Sequence, residues 1–203
     1  MSGEWDALAR TYDLQLGLER AAVECLIDLL APRASHRLLD LGTGTGAVLR
    51  ALAGRAGRPT NVTGIDASAA MLARVPPLPA GWSLIEGDVT RLRVADRSVD
   101  LISAAYLLHV LPEAQRRRAI AEMARVLAPA GRVAVVVPAL PRGLCERPYR
   151  RALRALERHS PTALGLRPID AVGELARAGL RPARGRYLRR GYPSVCLLAH
   201  AAD

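Results

Sequence analysis

Leu38-Leu39-Asp40-Leu41-Gly42-Thr43-Gly44-Thr45-Gly46 is the stretch on which the reading of the chain turns. RLLDL at 37–41 reads as a buried strand. It enters a turn with glycine at every second position, and 47–56 then reads as a helix. Without side chains at Gly42, Gly44 and Gly46, a ligand can come close to the backbone. Turns of this kind at the carboxyl edge of a parallel sheet are where ligands bind. Gly42, Gly44 and Ala47 also satisfy the dinucleotide pattern GxGxx[GA], so the turn alone leaves the ligand open.

Outward from that turn, short apolar runs alternate with helical patterns. NVTGID at 61–66, WSLIEG at 82–87, VDLISA at 99–104 and the β-branched RVAVVV at 132–137 read as further strands. Ser68 is placed to cap a helix over 69–75, which the prolines at 76, 77 and 79 stop. A helix over 113–127 carries Ile120, Met123 and Leu127 on one face, and Pro129 and Gly131 end it. Strands joined by helices imply a parallel sheet covered on both faces. The end of the chain differs. After a short helix at 170–178, strands at 185–191 and 194–200 are too close together for a parallel crossover, so an antiparallel hairpin is expected. Two helices, at 4–14 and 18–31, precede the sheet.

Composition excludes much. The chain has 203 residues and a net charge of +10, and all 29 basic residues are arginine. Phe is absent and Asn61 is the only asparagine, which reads as a bacterial genome bias. The charge is therefore weak evidence for nucleic acid, and aromatic residues for base stacking are few. Without lysine there is no Walker A loop, no pyridoxal phosphate Schiff base and no protein-kinase strand lysine. Cys25, Cys145 and Cys196 are widely spaced, as expected of reduced, buried thiols in a cytoplasmic protein with no metal site. No apolar run is long enough for a membrane span, and the first residues do not resemble a secretory leader.

Three carboxylates narrow the ligand. Asp40 lies two residues before Gly42, Asp66 closes the second strand, and Asp88 lies just past the third. The chain order thus lays a row of acids along one edge of the sheet. A carboxylate at Asp66 can accept from both hydroxyls of a ribose. An acid at the ribose suits NAD as well, but hydride transfer needs a substrate domain or further catalytic groups, and the Tyr-x-x-x-Lys pair is impossible here.

With these residues in place, the sequence resembles the class I S-adenosylmethionine-dependent methyltransferases, most closely the small-molecule branch that includes the ubiquinone/menaquinone-biosynthesis type. LLDLGTGTG, VTGIDASAAML, LIEGDVTRLRVADRSVDLISAAYLLHVLPE and AIAEMARVLAPAGRVAVVVP carry the likeness across residues 36–137. The resemblance implies a three-layer α/β Rossmann-like fold with a seven-stranded, mostly parallel sheet and a C-terminal antiparallel hairpin. It implies one domain over 1–203, made of N-terminal helices at 1–35, a cofactor-binding core at 36–137, a variable lid at 138–168 and a C-terminal helix and hairpin at 169–203. It implies S-adenosylmethionine as cofactor, with Gly42, Thr43 and Gly44 along its methionine half and Asp40 ordering the loop near the sulfonium. Asp66 would take the ribose and Met71 would pack near adenine. Asp88 would accept from the adenine amine beside the Val89 backbone, and Ser103 and Ala104 would hold the amino-acid end. Gly46 and Ala67 complete the set, and Tyr12 would close over the cofactor.

The expected reaction is methyl transfer to a small-molecule acceptor, acidic or lipid-like. His109, at the first histidine of the family's Leu-His-His stretch, is the candidate base; its alternative is a buried structural histidine. Tyr106, Tyr149 and His159 are weaker candidates. Neither an NPPY-like tetrad nor a Pro-Cys pair is present, so a nucleic-acid substrate lacks its usual marks. The variable segment carries Arg150, Arg151, Arg154 and Arg158 around an apolar stripe. That pattern suits a lid, an anionic acceptor, weak contact with an anionic membrane, or simply a solvated face. Arg116-Arg117-Arg118 reads as surface. An RNA-directed methyltransferase and a cofactor-binding protein without turnover stay open as alternatives, as does the oligomeric state.

Overall fold

The central strand is buried on both faces because its side chains are apolar on both. Leu38 packs with one cluster of core residues and Leu39 and Leu41 with the other. The computed structural model describes residues 16–139, 169–190 and 193–201. The expected helix at 4–14 with Tyr12, and the variable segment over 140–168 with Cys145, Tyr149 and His159, lie outside the described residues.

The elements in chain order are α1 (Leu16–Leu30), β1 (Arg37–Leu41), α2 (Ala47–Ala53), β2 (Asn61–Asp66), α3 (Ala69–Leu72), β3 (Trp82–Glu86), β4 (Val99–Ala105), α4 (Glu113–Val126), β5 (Leu127–Pro138), α5 (Ala171–Arg177), β6 (Leu180–Leu188) and β7 (Ser194–Ala201). The strands form one seven-stranded sheet in the order β3-β2-β1-β4-β5-β7-β6. The first five strands pair in parallel, while β7 runs antiparallel to both β5 and β6. The sheet is thus the mixed, mostly parallel one expected, with the hairpin's second strand set inside its first.

Helices cover both faces. On one, Leu26, Ile27 and Leu30 of α1 and Leu49 and Leu52 of α2 pack against Val62, Leu101 and Val136. On the other, Ile120 and Met123 of α4 and Leu175 of α5 pack against Leu39, Ile102 and Val135. None of the described helices is long and apolar enough to cross a membrane.

Several boundaries depart from the sequence reading. The α4 helix passes straight into β5 at Leu127, with Pro129 and Gly131 inside the strand instead of in a loop before it. Pro129 is tolerated there because the pairing with β4 shifts register between Val99 and Leu101. The β6 strand begins at Leu180, not 185, and contains Pro182. It is the outermost strand, where a missing N–H costs no ladder bond. The α3 helix is one turn, capped as expected by Ser68, whose Oγ accepts from the Met71 N–H at 3.2 Å.

Parallel register sets the site. Asp40 pairs with Gly64 on one side and Ser103 on the other, and Asp66 pairs with Glu86. Gly64 has no room for a side chain, because a Cβ there would lie 2.9 Å from Thr43 Oγ1 and 3.0 Å from Leu84 Cδ2. Gly64→Ala is therefore expected to lower unfolding stability by about 1–3 kcal/mol, as overpacked cores do. Urea denaturation checks this; an unchanged midpoint would mean that the wall around Gly64 yields freely.

Candidate functional site

The glycine turn leaves β1 with its backbone held from β2. The N–H groups of Gly42 and Thr43 both donate to the Ile65 carbonyl, at 2.8 and 3.1 Å. Gly42 has φ 65° and Gly46 has φ 85°, a region that disfavours other residues. Space demands glycine there too. A Cβ on Gly42 would meet Leu107 Cδ1 at 2.8 Å, and one on Gly46 would meet Val75 Cγ1 at 2.9 Å.

Two of the three predicted acids brace this turn. Asp40 is 1% exposed. It accepts from Ser103 Oγ at 2.6 Å and from Thr43 Oγ1, so one carboxylate joins β1, the turn and β4. Asp66 accepts the Gly44 N–H on Oδ2 at 2.8 Å and the Ser68 N–H on Oδ1 at 2.9 Å. Partial burial raises its pKa, while the N–H groups of Ser68, Gly44 and Ala67 pull it back. A carboxylate has about four acceptor positions, so Asp66 keeps capacity for further donors. Asp88 is exposed and accepts only the Thr90 N–H, at 2.8 Å, among the described residues.

Together these residues face a cavity of about 680 Å³ at the carboxyl edge of the sheet. Of the predicted ligand residues, Gly42, Gly44, Asp66, Ala67, Met71, Asp88 and Val89 line it. Asp40, Thr43, Gly46, Ser103 and Ala104 do not; they stand behind the lining. Where Ser103 and Ala104 were expected, Ala105 and Tyr106 reach the cavity instead. The reason is that β4 runs one residue further than the sequence reading allowed.

Other lining residues were not singled out. Glu86 sits at the end of β3 beside Asp66, and Leu107, Val110, Leu111 and Gln115 form the wall after β4. The register that pairs strand ends would have pointed to Glu86. An apolar run after a strand carries no comparable signal, since core and cavity wall look alike. Three carboxylates, of Asp66, Glu86 and Asp88, face the space, and no basic side chain lines it among the described residues.

His109 is 8% exposed and lies off the lining. Its ring meets Tyr106 edge-on, with centroids 6.1 Å apart. Its Nδ1 has no hydrogen-bond partner among the described residues. Burial lowers its pKa to about 4, so it is neutral at pH 7. Tyr106 itself lines the cavity, and its hydroxyl is 2.8 Å from Ser194 Oγ.

Comparison with known proteins shows the family. Residues 38–131 match a family model described as a methyltransferase domain. The chain is 35% identical over 201 residues to malonyl-[acyl-carrier protein] O-methyltransferase of Methylococcus capsulatus, covering 95% of this chain and 70% of that protein. It is 33% identical over 140 residues to demethylmenaquinone methyltransferase of Beutenbergia cavernae, covering 66% of this chain and 56% of that protein. The chain thus spans little more than half the length of that relative. Among solved structures, the complex between the Haloferax volcanii Trm112 methyltransferase activator and a methyltransferase holds a chain with a TM-score of 0.79 at 18% identity. The match covers 98% of each chain, a likeness of fold. The chain belongs to the class I S-adenosylmethionine-dependent methyltransferases.

Two buried groups make opposite contributions to pH dependence. Burial raises the Asp40 pKa from 3.8 to about 6 despite its two hydroxyl donors. Between those values the native state keeps a proton that the unfolded chain releases, so this part of the stability falls as pH rises from about 4 to about 6. For His109, with a pKa lowered from 6.5 to about 4, the unfolded chain holds the proton and stability rises over the same window. Each is worth roughly 3 kcal/mol, with opposite signs. Relative to wild type, Asp40→Asn should gain stability as pH climbs from 4.5 to 6.5 (about the window of the two shifts), and His109→Leu should lose it. Urea midpoints at the two pH values decide this; parallel profiles for the three proteins would contradict it.

Proposed function

We propose that the protein transfers a methyl group from S-adenosylmethionine to a small-molecule acceptor. The observation that carries this reading is the Asp66 carboxylate. It is held by the N–H groups of Gly44 and Ser68 and turned to a cavity whose adjoining wall is bare glycine backbone. The residues fit the cofactor. Adenosine offers two vicinal hydroxyl donors, for which Asp66 has acceptor capacity, and a flat ring that suits the apolar surfaces of Met71 and Val89. Asp88 is placed to accept from the adenine amine. The bare backbone at Gly42 and Gly44 leaves room for the amino-acid end, and Asp40, through Thr43 and Ser103, keeps that turn in shape. Gly46 and Ala67 extend the turn and the ribose side, Ala104 backs the wall, and Tyr12, outside the described residues, would close over the ligand.

When bound, S-adenosylmethionine supplies an electrophilic methyl group on a positively charged sulfur. The chain's own task is to align the acceptor and exclude water. Leu107, Val110 and Leu111 form the dry side of the cavity. The carboxylates of Asp66 and Glu86 favour a cationic ligand over a neutral one. His109 is the candidate to take a proton from a protic acceptor. Burial makes it a weak base, so it would serve only an acceptor that is itself acidic.

The acidic rim opposes a nucleic-acid backbone entering this face, which disfavours RNA as substrate. The arginines of the variable segment, on which an anionic acceptor or membrane contact rests, lie outside the described residues. A cytoplasmic setting belongs to the same reading, with Cys25 and Cys196 as buried thiols beside one another.

Asp66→Ala should weaken binding of S-adenosylhomocysteine by about a hundredfold, because two hydrogen bonds to a charged acceptor are lost. Calorimetry showing wild-type affinity in that variant would remove the assignment. Incubating bacterial extracts with the protein and methyl-labelled cofactor, followed by mass spectrometry, should show label in a small metabolite. Cofactor affinity with no label transferred to any compound would leave a binding protein without turnover. In single-turnover measurements with the acceptor so found, His109→Gln should slow the chemical step if His109 takes the proton; an unchanged rate would make it structural.

A further inference from the structure

We propose that Arg116 is a positioning residue that ties helix α5 to the wall of the cofactor cavity. Its guanidinium makes three bonds in one plane. Nε donates to Glu174 Oε2 at 2.7 Å and Nη2 to Glu174 Oε1 at 2.8 Å. The remaining nitrogen, Nη1, donates to the Leu111 carbonyl at 3.0 Å. The side chains of Arg116 and Glu174 are 12% and 9% exposed, whereas the neighbouring pair Arg117–Glu113 is 66% and 64% exposed. The arginine triplet that reads as one solvated patch is therefore two different things. Arg117 and Arg118 face water, and Arg116 is built into the molecule.

Both ends of this tie have consequences. Leu111 lines the cavity, and so does Gln115, the residue before Arg116 on α4. Glu174 stands on α5, whose Ala171 and Leu175 are buried in the core beneath the same face of the sheet. A shift of α5 moves Glu174, and Arg116 carries that movement to Leu111. A paired, buried charge alone contributes little net stability. The bond that a simple ion pair would not need is the one to the carbonyl. Arginine suits this task because its fork fills a carboxylate and still has a donor to spare.

The inference rests on the methyltransferase reading for its effect on ligand, but not for the tie itself, and the test separates them. Arg116→Met keeps bulk and removes every donor. The pair Arg116→Glu with Glu174→Arg restores opposite charges in reversed order, but a carboxylate at position 116 cannot donate to Leu111. Three readouts are compared with wild type: the urea midpoint, amide hydrogen exchange over residues 107–111, and calorimetric affinity for S-adenosylhomocysteine. The reversed pair should regain most of the midpoint lost in Arg116→Met. Exchange over 107–111 should stay faster than wild type in both variants, and affinity should stay about fivefold weaker. Recovery of exchange and affinity along with the midpoint would overturn the proposal, leaving Arg116 as a plain ion-pair partner. So would wild-type exchange and affinity in Arg116→Met. If the wild type itself fails to bind S-adenosylhomocysteine, the methyltransferase reading falls, and the exchange comparison still decides whether Arg116 holds the wall.

Discussion

A carboxylate buried at the end of the central strand is the constraint on which the site depends. Asp40 is almost fully enclosed, yet among the described residues it bonds only to hydroxyls, those of Thr43 and Ser103. Burial disfavours its charged form, with no cation beside it among the described residues, and its pKa is raised to about 6. A fold selected for stability alone would place an apolar residue there. The arrangement makes sense as a brace: it fixes the turn against β4 and keeps Gly42 and Gly44 open to the cavity. Asp66 completes the brace from the other side through the Gly44 N–H.

The brace works because the sheet is parallel at this point. Parallel register brings the carboxyl ends of β1, β2, β3 and β4 to one edge. Backbone groups left without ladder partners there are met by side chains and turns. The Gly42 and Thr43 N–H groups find the Ile65 carbonyl, and those of Gly44 and Ser68 find Asp66. Asp66 stands at this edge as the acceptor for N–H groups that the ended strands leave to donate.

Much of this was legible in the residues, for a physical reason. The β1 and β2 strands are short, mainly apolar or β-branched runs next to turn formers, so their limits could be read directly. Asp66 follows from the end of β2 and Asp88 from the end of β3, whereas Met71 and Val89 come only from the family resemblance. The β6 strand was half hidden, because an edge strand is free to carry Pro182 and exposed arginines that look like loop. The wall of Leu107, Val110 and Leu111 was hidden altogether. An apolar side chain facing a cavity and one facing the core have the same chemistry, and only the backbone path separates them. Tyr106 shows this well: its φ of 53° turns the chain at the end of β4 and brings its ring to the cavity. Arg116 could not be told from Arg117, because its partner lies 58 residues away.

The absence of lysine looks at first like a mark of genome composition with no structural meaning. The α4 helix shows how the two combine. Near its end, Arg125 donates to the carbonyls of Leu92 and Val94, at 3.0 and 2.9 Å, while pairing with Glu122 and Asp96. Glu122 in turn accepts the Leu92 N–H at 2.6 Å. This holds the segment that begins with Asp88 and Val89, one lip of the cavity. At the start of the same helix, Arg116 holds Leu111 on the other lip. A lysine presents a compact, strongly hydrated charge, whereas each of these arginines serves a carboxylate and a carbonyl at once from a single plane. A bias toward arginine therefore supplies the side chain that lets one helix hold two loops beside the site.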